Sequence, residues 1–200
     1  MKKYRIFIFV FFATLHSVFA HNPLSAMYYL EVNEGVSVLN ISLSQSGLNE
    51  ALKKHYSNID LETLSSIEYK QLAIKYLKEN FNLNINNKSV ALLDGGIKLG
   101  NHQTDVKFIL SQLPKNFESL DVEIKAFVQN KHHQTVFSLV LNENTSKVIL
   151  NEINNYKTTV VFKNNIMVKG EKVFNKNYLW PFLMIPIFLI WKKNTNNLNK

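Results

Sequence analysis

Histidine is the residue type in this sequence that most readily supports metal chemistry, because its neutral ring nitrogen is a common metal ligand. The chain has six histidines. His21 becomes the mature N-terminus if a signal peptide is removed after Ala20. A terminal histidine offers its α-amine and a ring nitrogen to one ion, which is a chelate suited to copper or nickel.

Such a site needs further ligands, and the candidates are His102, His132 and His133. Adjacent side chains on a strand face opposite ways, so at most one of His132 and His133 can join His21 unless the segment is a loop. His102 lies beside Gly100 in a predicted loop. The other interpretation is that His21 is an arbitrary residue on a mobile terminus. A copper or nickel site at these four histidines is therefore an alternative hypothesis.

Recognised catalytic signatures are missing from the sequence. It contains no nucleophile elbow, zinc-protease helix, Walker loop or dinucleotide-binding glycine motif. Asp121 and Glu123 fall on the outward face of an alternating strand, where solvation explains them. The chain has no cysteine, which excludes disulfides, thiolate metal sites and cysteine nucleophiles. We predict that the protein is not an enzyme.

Five aromatic residues could line a ligand groove: Tyr28, Tyr29, Phe117, Phe127 and Phe137. At strand spacing, aromatic side chains are more typical of a hydrophobic core. The sequence leaves both interpretations open.

The net charge of +8 belongs mainly to the ends of the chain. Residues 21–162 are close to neutral, and Arg5 is the only arginine. A nucleic-acid interface would need clustered basic residues on the domain, so we predict no nucleic-acid partner.

Both ends carry membrane-targeting patterns. Residues 1–20 combine a basic start, a short apolar run and small residues before the cleavage site, which is typical of a signal peptide. Residues 178–191 are almost entirely apolar and are followed by Lys192 and Lys193. This pattern favours a C-terminal transmembrane anchor, with residues 192–200 as a cytoplasmic tail. An apolar tail that packs on the domain or lies in the membrane interface is the alternative.

The intervening residues, 21–162, predict one α+β domain. Two strand-like runs flank Glu34-Gly35, and two helical patterns follow at Ser46–Tyr56 and from the capping box at Ser65 to Glu79. Later runs alternate with period two, which indicates an antiparallel β-sandwich with two inserted helices. Residues 163–177 are rich in lysine and asparagine, and we interpret them as a linker with room for one strand at Ile166–Val168.

Several short stretches resemble known groups. The stretch HNPLSAMYYLEVNE at His21–Glu34, followed by a second strand and Leu48–Leu52, resembles the exported N-terminal domain of HupE/UreJ-type proteins. That resemblance implies a link to nickel and nominates His21. Three later stretches, NEALKKHY, IKYLKENFNLNINNKSV and VEIKAFVQNKHHQTVFSLVL, resemble a domain of unknown function in small exported proteins of Bacteroidetes-type genomes.

Together these patterns predict an exported binding or accessory domain on the periplasmic side of the inner membrane. We expect it to contact a membrane protein or a small ligand through the sandwich edge or the loop ends. The alternative is a copper- or nickel-binding accessory that uses His21.

Overall fold

The computed structural model describes residues 25–33 and 35–169. The predictions that lie outside these ranges concern the signal peptide 1–20, His21, residues 170–177 of the linker, the anchor 178–191 and the tail 192–200. In the part that is described, neither α-helix combines the length and apolar composition needed to cross a bilayer.

The described residues form eleven β-strands, two α-helices and one short 3-10 helix. The strands are β1 Ala26–Glu31, β2 Val38–Ser44, β3 Phe81–Ile85, β4 Lys88–Ser89, β5 Leu92–Leu99, β6 Gln103–Leu110, β7 Ser119–Ile124, β8 Thr135–Leu141, β9 Asn144–Leu150, β10 Lys157–Lys163 and β11 Ile166–Lys169. The helices α1 Gln45–His55 and α2 Ser66–Glu79 follow β2, and the 3-10 helix Glu152–Asn154 follows β9. This order confirms the predicted α+β class.

The strands assemble into a six-stranded sheet, in the order β5-β6-β2-β1-β8-β9, and a five-stranded sheet, in the order β11-β10-β7-β3-β4. Buried apolar side chains from both sheets and both helices form one cluster. The ring of Tyr28 in the first sheet stacks on the ring of Phe81 in the second, with centroids 5.9 Å apart. The core therefore lies between two packed sheets, as in a sandwich.

One strand pair departs from the predicted antiparallel arrangement. β1 and β8 run parallel, with Ala26 opposite Thr135 and Leu30 opposite Leu139, whereas the neighbouring pair β1–β2 is antiparallel. A parallel pair needs a long connection, which the helices and strands between β1 and β8 provide. Alternation in the sequence shows which face of a strand is buried, but it does not show the direction of the partner.

The second helix begins as its sequence predicts. Ser65 Oγ accepts a hydrogen bond from the Glu68 backbone N–H at 3.3 Å, and Glu68 Oε2 accepts one from the Ser65 N–H at 2.8 Å. These bonds form a capping box. The Ser65 hydroxyl also donates a hydrogen bond to Glu68 Oε2 at 2.6 Å, and this bond, followed by the one from the Ser65 N–H, holds the pKa of the Glu68 carboxyl below its usual value. Ala73, Tyr76 and Leu77 form the buried face of the helix.

The five-stranded sheet continues beyond residue 162, where the sequence places the end of the globular domain. β11 pairs antiparallel with β10, with Phe162 opposite Met167. The Met167 backbone N–H also donates a hydrogen bond to Ser146 Oγ on β9 at 3.0 Å. The strand suspected at Ile166–Val168 is therefore part of the fold.

Candidate binding groove

The structure separates the histidines that the sequence nominates as metal ligands. His21 lies outside the described residues. His102 is exposed in the turn between β5 and β6, and its backbone carbonyl accepts a hydrogen bond from the Gln45 N–H at 3.0 Å. His132 and His133 lie in the loop before β8.

The two adjacent histidines have different surroundings. His132 is exposed and has a φ of 58°. His133 is only 2% exposed, its Nε2 is 2.8 Å from Thr135 Oγ1, and its ring centroid is 5.1 Å from that of Phe127. Among residues 25–33 and 35–169, no three histidine or carboxylate side chains are grouped so that they could hold a metal ion. A metal site that includes His21 stays a prediction.

An open groove of about 850 Å³ lies on the outer face of the six-stranded sheet, away from the core. It spans β5, β6, β2 and β1, four neighbouring strands of that sheet. The outward side chains that line it are Met27, Tyr29, Asn40, Ser42, Asp94, Lys98, Asp105, Lys107 and Ile109, together with Gly96. Strand alternation explains this set, because every second residue of these strands points away from the core.

The strand register arranges these residues in rows across the sheet. One row is Lys98, Asp105, Ser42 and Met27, and the next is Gly96, Lys107, Asn40 and Tyr29. Short side chains on β2 therefore lie between longer ones on β1 and β6. This difference in length makes the surface concave.

Gly96 deepens the groove at its β5 side. A Cβ atom built on Gly96 would meet no atom within 4 Å. The preceding residue, Gly95, differs, since its Cβ would lie 2.4 Å from Phe108 Cδ1 and 2.5 Å from the Lys107 carbonyl oxygen. The register shifts between Leu92 and Gly95, so a β-bulge lies inside β5 directly before Gly96.

Polar groups of the groove have few partners within the fold. The side chains of Asn40 and Ser42 make no hydrogen bond to any described residue. Lys98 lies opposite Asp105 in the register, but their charged groups form no ion pair within 4.0 Å. Asp105 Oδ1 instead accepts a hydrogen bond from Gln103 Nε2 at 2.8 Å.

Apolar surface surrounds and extends the groove. Met27 is 48% exposed and Ile109 is 42% exposed, although both sit on central strands of the sheet. Beyond the groove, the row of Met27 continues through Val136 on β8 to Ile149 on β9, which is 54% exposed. Exposed apolar surface of this kind usually marks a binding site.

The aromatic residues divide between the two interpretations that the sequence left open. Tyr28, Phe127 and Phe137 are buried core residues, whereas Tyr29 lines the groove. Phe117 packs against the edge of the core, and its ring centroid is 5.4 Å from that of Phe162. Burial raises the pKa of the Tyr28 hydroxyl, and no hydrogen-bond partner for that hydroxyl occurs among the described residues.

No protein-family model matches this sequence, and no curated protein is similar enough to count as a match. The resemblance to HupE/UreJ-type proteins and to the exported domain of unknown function therefore stays a prediction.

Sequence reasoning missed most of the groove. The period-two alternation predicted for the later runs covers β6 and makes Val106, Phe108 and Leu110 inward residues, but it assigns no role to Lys107 and Ile109 between them. The alternation itself was the available signal, since it fixes both faces of a strand. Which strands lie side by side was the missing information.

Proposed function

We propose that this chain is an exported binding or accessory domain without enzymatic activity. In this proposal, residues 178–191 hold it at the inner membrane and the globular part lies on the periplasmic side. The observation that carries the binding role is the groove of about 850 Å³ on the outer face of the six-stranded sheet. Ligand pockets commonly have volumes of about 300–1,000 Å³.

The proposed binding surface differs from the one that the sequence suggests. The sequence led us to expect contact through the sandwich edge or the loop ends. The groove lies instead on a sheet face, where Asn40 and Ser42 provide hydrogen-bonding groups and Met27, Tyr29 and Ile109 provide apolar contact. A site that combines a few polar groups with apolar walls is typical of specific binding. The lack of a recognised catalytic motif in the sequence supports a role other than catalysis.

The proposed membrane topology can be tested with single cysteines, because the chain has none of its own. We expect a membrane-impermeant maleimide to label Thr145→Cys in intact spheroplasts and to label Asn196→Cys only after lysis. N-terminal sequencing of the recovered protein should begin at His21. Recovery of the chain from the soluble cytosolic fraction with Met1 still attached would refute the topology.

The use of the groove can be tested with a photo-crosslinking amino acid at Ile109 or Ile149 in the full chain. Both isoleucines are exposed on the same face of the same sheet, but only Ile109 lines the groove. We expect a discrete adduct in cells from position 109, which Gly96→Val abolishes, and no matching adduct from position 149. Equal adducts from both positions would show that the groove is not the binding site.

A second candidate function is a copper- or nickel-binding accessory, and one observation favours it. Ser25 and His133 line the same small pocket, and the Ala26 N–H donates a hydrogen bond to the Gln134 carbonyl at 3.1 Å. The four peptide units from His21 to Ser25 can span at most about 14 Å. A mature N-terminus is therefore tethered close to the loop that holds His132.

Titration of the mature chain with Cu(II) or Ni(II) tests this candidate. We expect His21→Ala to abolish high-affinity binding and His132→Ala to weaken it, because the first removes the terminal chelate and the second a further ligand. His102→Ala tests whether the further ligand lies in the β5–β6 turn. Weaker metal binding in this variant, with no change in His132→Ala, would place that ligand in the turn and not in the loop before β8. Unchanged affinity in His21→Ala would refute the candidate.

A further inference from the structure

The shape of the groove restricts what can fill it. Its floor is formed by the short side chains Ser42 and Asn40 and by the open space above Gly96. Lys107 on β6 stands between Gly96 and Asn40, and Met27 on β1 borders Ser42. Two copies of a concave surface placed face to face would leave an empty space between them, and a flat bilayer would leave the floor empty. The occupant must therefore be convex or narrow.

The polar groups on the floor restrict its chemistry. Asn40 offers two amide donors and an acceptor, and Ser42 offers a hydroxyl. Neither side chain is hydrogen-bonded to the rest of the described domain. A hydrocarbon chain lying on them would remove them from water without replacing those bonds, which is unfavourable. An occupant with donors and acceptors along its length avoids this cost, and every non-proline residue of a peptide carries one of each.

The charges at the groove fit an occupant that carries both signs. Lys98 and Lys107 are cationic, Asp94 and Asp105 are anionic, and none of the four takes part in an ion pair within the described residues. A ligand with a single anionic or cationic head would leave half of them without a partner. A peptide with acidic and basic side chains complements the whole set.

The dimensions agree with a short length of peptide. Four neighbouring strands span three inter-strand spacings, about 14 Å from β5 to β1. An extended peptide rises about 3.3 Å per residue, so about four residues cross the groove. One apolar side chain of that length of chain can enter the space above Gly96, where the outward Ile109 on β6 is a diagonal neighbour. Met27 and Tyr29 offer apolar contact at the opposite, β1 end of the groove.

We propose that the groove binds an extended peptide segment of a partner protein, with an apolar side chain above Gly96 and charged side chains of both signs on either side of it. This inference rests on the proposed function, since it names the class of ligand for the same groove. Contacts to Asn40 and Ser42 position the peptide backbone, and contacts to the lysines and aspartates select its side chains.

The probe for the test is a random dodecapeptide phage library, selected on the full chain in lipid nanodiscs with empty nanodiscs for counter-selection. Selected peptides are synthesised with a fluorophore, and their dissociation constants are measured by anisotropy. We expect apolar residues flanked by charges among them, and a loss of affinity of about tenfold or more for Gly96→Val, because the valine fills the space for the apolar side chain. A circular dichroism melt of each variant checks that the fold is retained.

Two matched pairs keep the test decisive if Gly96→Val proves unstable. Ile109→Ala and Lys107→Ala change the groove, whereas Ile149→Ala and Lys147→Ala change residues of the same types on β9, outside it. We expect about threefold to tenfold weaker peptide binding for the first two variants and unchanged binding for the other two.

The outcomes that overturn the inference differ from those that overturn the proposed function. If no peptide is selected, or if selected peptides bind wild type and Gly96→Val equally, the groove does not bind peptide. If the crosslinked adduct at position 109 has the mass of a small molecule, the groove still binds a ligand and only the ligand class is wrong. Failure of the topology test refutes the anchored role and leaves the peptide measurements interpretable.

Discussion

The two faces of the six-stranded sheet use the same strands in opposite ways. On the inner face, Leu30, Ile41 and Phe108 are fully or almost fully buried against the second sheet and the helices. On the outer face, Met27 and Ile109 remain exposed beside polar and charged residues. The inner face therefore stabilises the fold, whereas the outer face is free to vary for binding. A protein whose outer face served only for solubility would have little reason to keep apolar side chains there.

The largest expected difference between the faces is in core packing. Phe108 points inward and its neighbour Ile109 points outward on the same strand. We expect Phe108→Ala to lower the free energy of unfolding by about 3–5 kcal/mol, because it leaves a cavity in the core. Ile109→Ala should change it by less than about 0.5 kcal/mol. Urea denaturation of both variants measures this, and similar losses would show that the outer face also stabilises the fold.

The adjacent glycines Gly95 and Gly96 allow the two faces to be compared by adding one methyl group at each position. Gly95→Ala places a Cβ against the Phe108 ring and the Lys107 carbonyl, so we expect a loss of about 1–3 kcal/mol. Gly96→Ala enters open space, and we expect a gain of about 0.5–1 kcal/mol from reduced backbone entropy in the unfolded chain. Thermal melts of the two variants should shift in opposite directions. A lower melting temperature for Gly96→Ala would contradict an open groove floor.

Two buried hydroxyl groups on β8 test how polar side chains on the inner and outer faces of the sheet contribute to stability. Thr135 faces inward, and its Oγ1 is within 2.8 Å of His133 Nε2. Ser138 belongs to the outer face yet is 1% exposed, and no partner for its hydroxyl occurs in the described part of the chain. We expect Thr135→Val to cost about 1–2 kcal/mol and Ser138→Ala to be neutral within about 0.5 kcal/mol. A large loss for Ser138→Ala would indicate that its hydroxyl bonds to a group beyond those described.

Removal of the hydroxyl of the inward residue Tyr28 has the smallest expected effect on the free energy of unfolding at neutral pH. Burial raises the pKa of its hydroxyl above the ordinary value of 10.0. A group whose pKa is raised on folding contributes stability that is complete below the unfolded pKa and is lost as pH rises through the folded pKa. The free energy of unfolding should therefore fall as pH rises above about 10, and Tyr28→Phe should reduce that slope. Tyr29→Phe on the outer face is the control, and an equal reduction in both variants would contradict the burial of Tyr28.

Local features of the fold could be predicted because their causes are local. The capping box at Ser65 and Glu68 depends on residues three apart, and it begins α2 where the sequence places it. Alternation identified the inward residues of β3, β6, β7 and β8, since period-two burial needs no knowledge of the partner strand. The boundaries of α1 differ by one residue from the prediction, because Ser44 caps the helix through the Gly47 N–H.

Features that depend on distant residues could not be predicted in this way. The parallel pairing of β1 with β8 joins segments that are about one hundred residues apart, and nothing in either segment encodes the direction of the other. The groove needs β5, β6, β2 and β1 side by side, an order that differs from their order along the chain. The role of Gly96 follows only from that order, because its missing side chain matters only beside Lys107, which separates it from Asn40.

By itself, the sequence determined the α+β class, the helix starts to within one residue and the inward faces of most strands, because backbone hydrogen bonding and side-chain periodicity act over a few residues. It also carries the targeting patterns at both ends, on which the proposed location rests. Only the tertiary structure decided the strand order, the burial of His133 beside an exposed His132, and the concave surface that Asn40, Ser42 and Gly96 form together. These depend on packing between distant segments, where the free energy of the whole core selects one arrangement among many that satisfy the local rules.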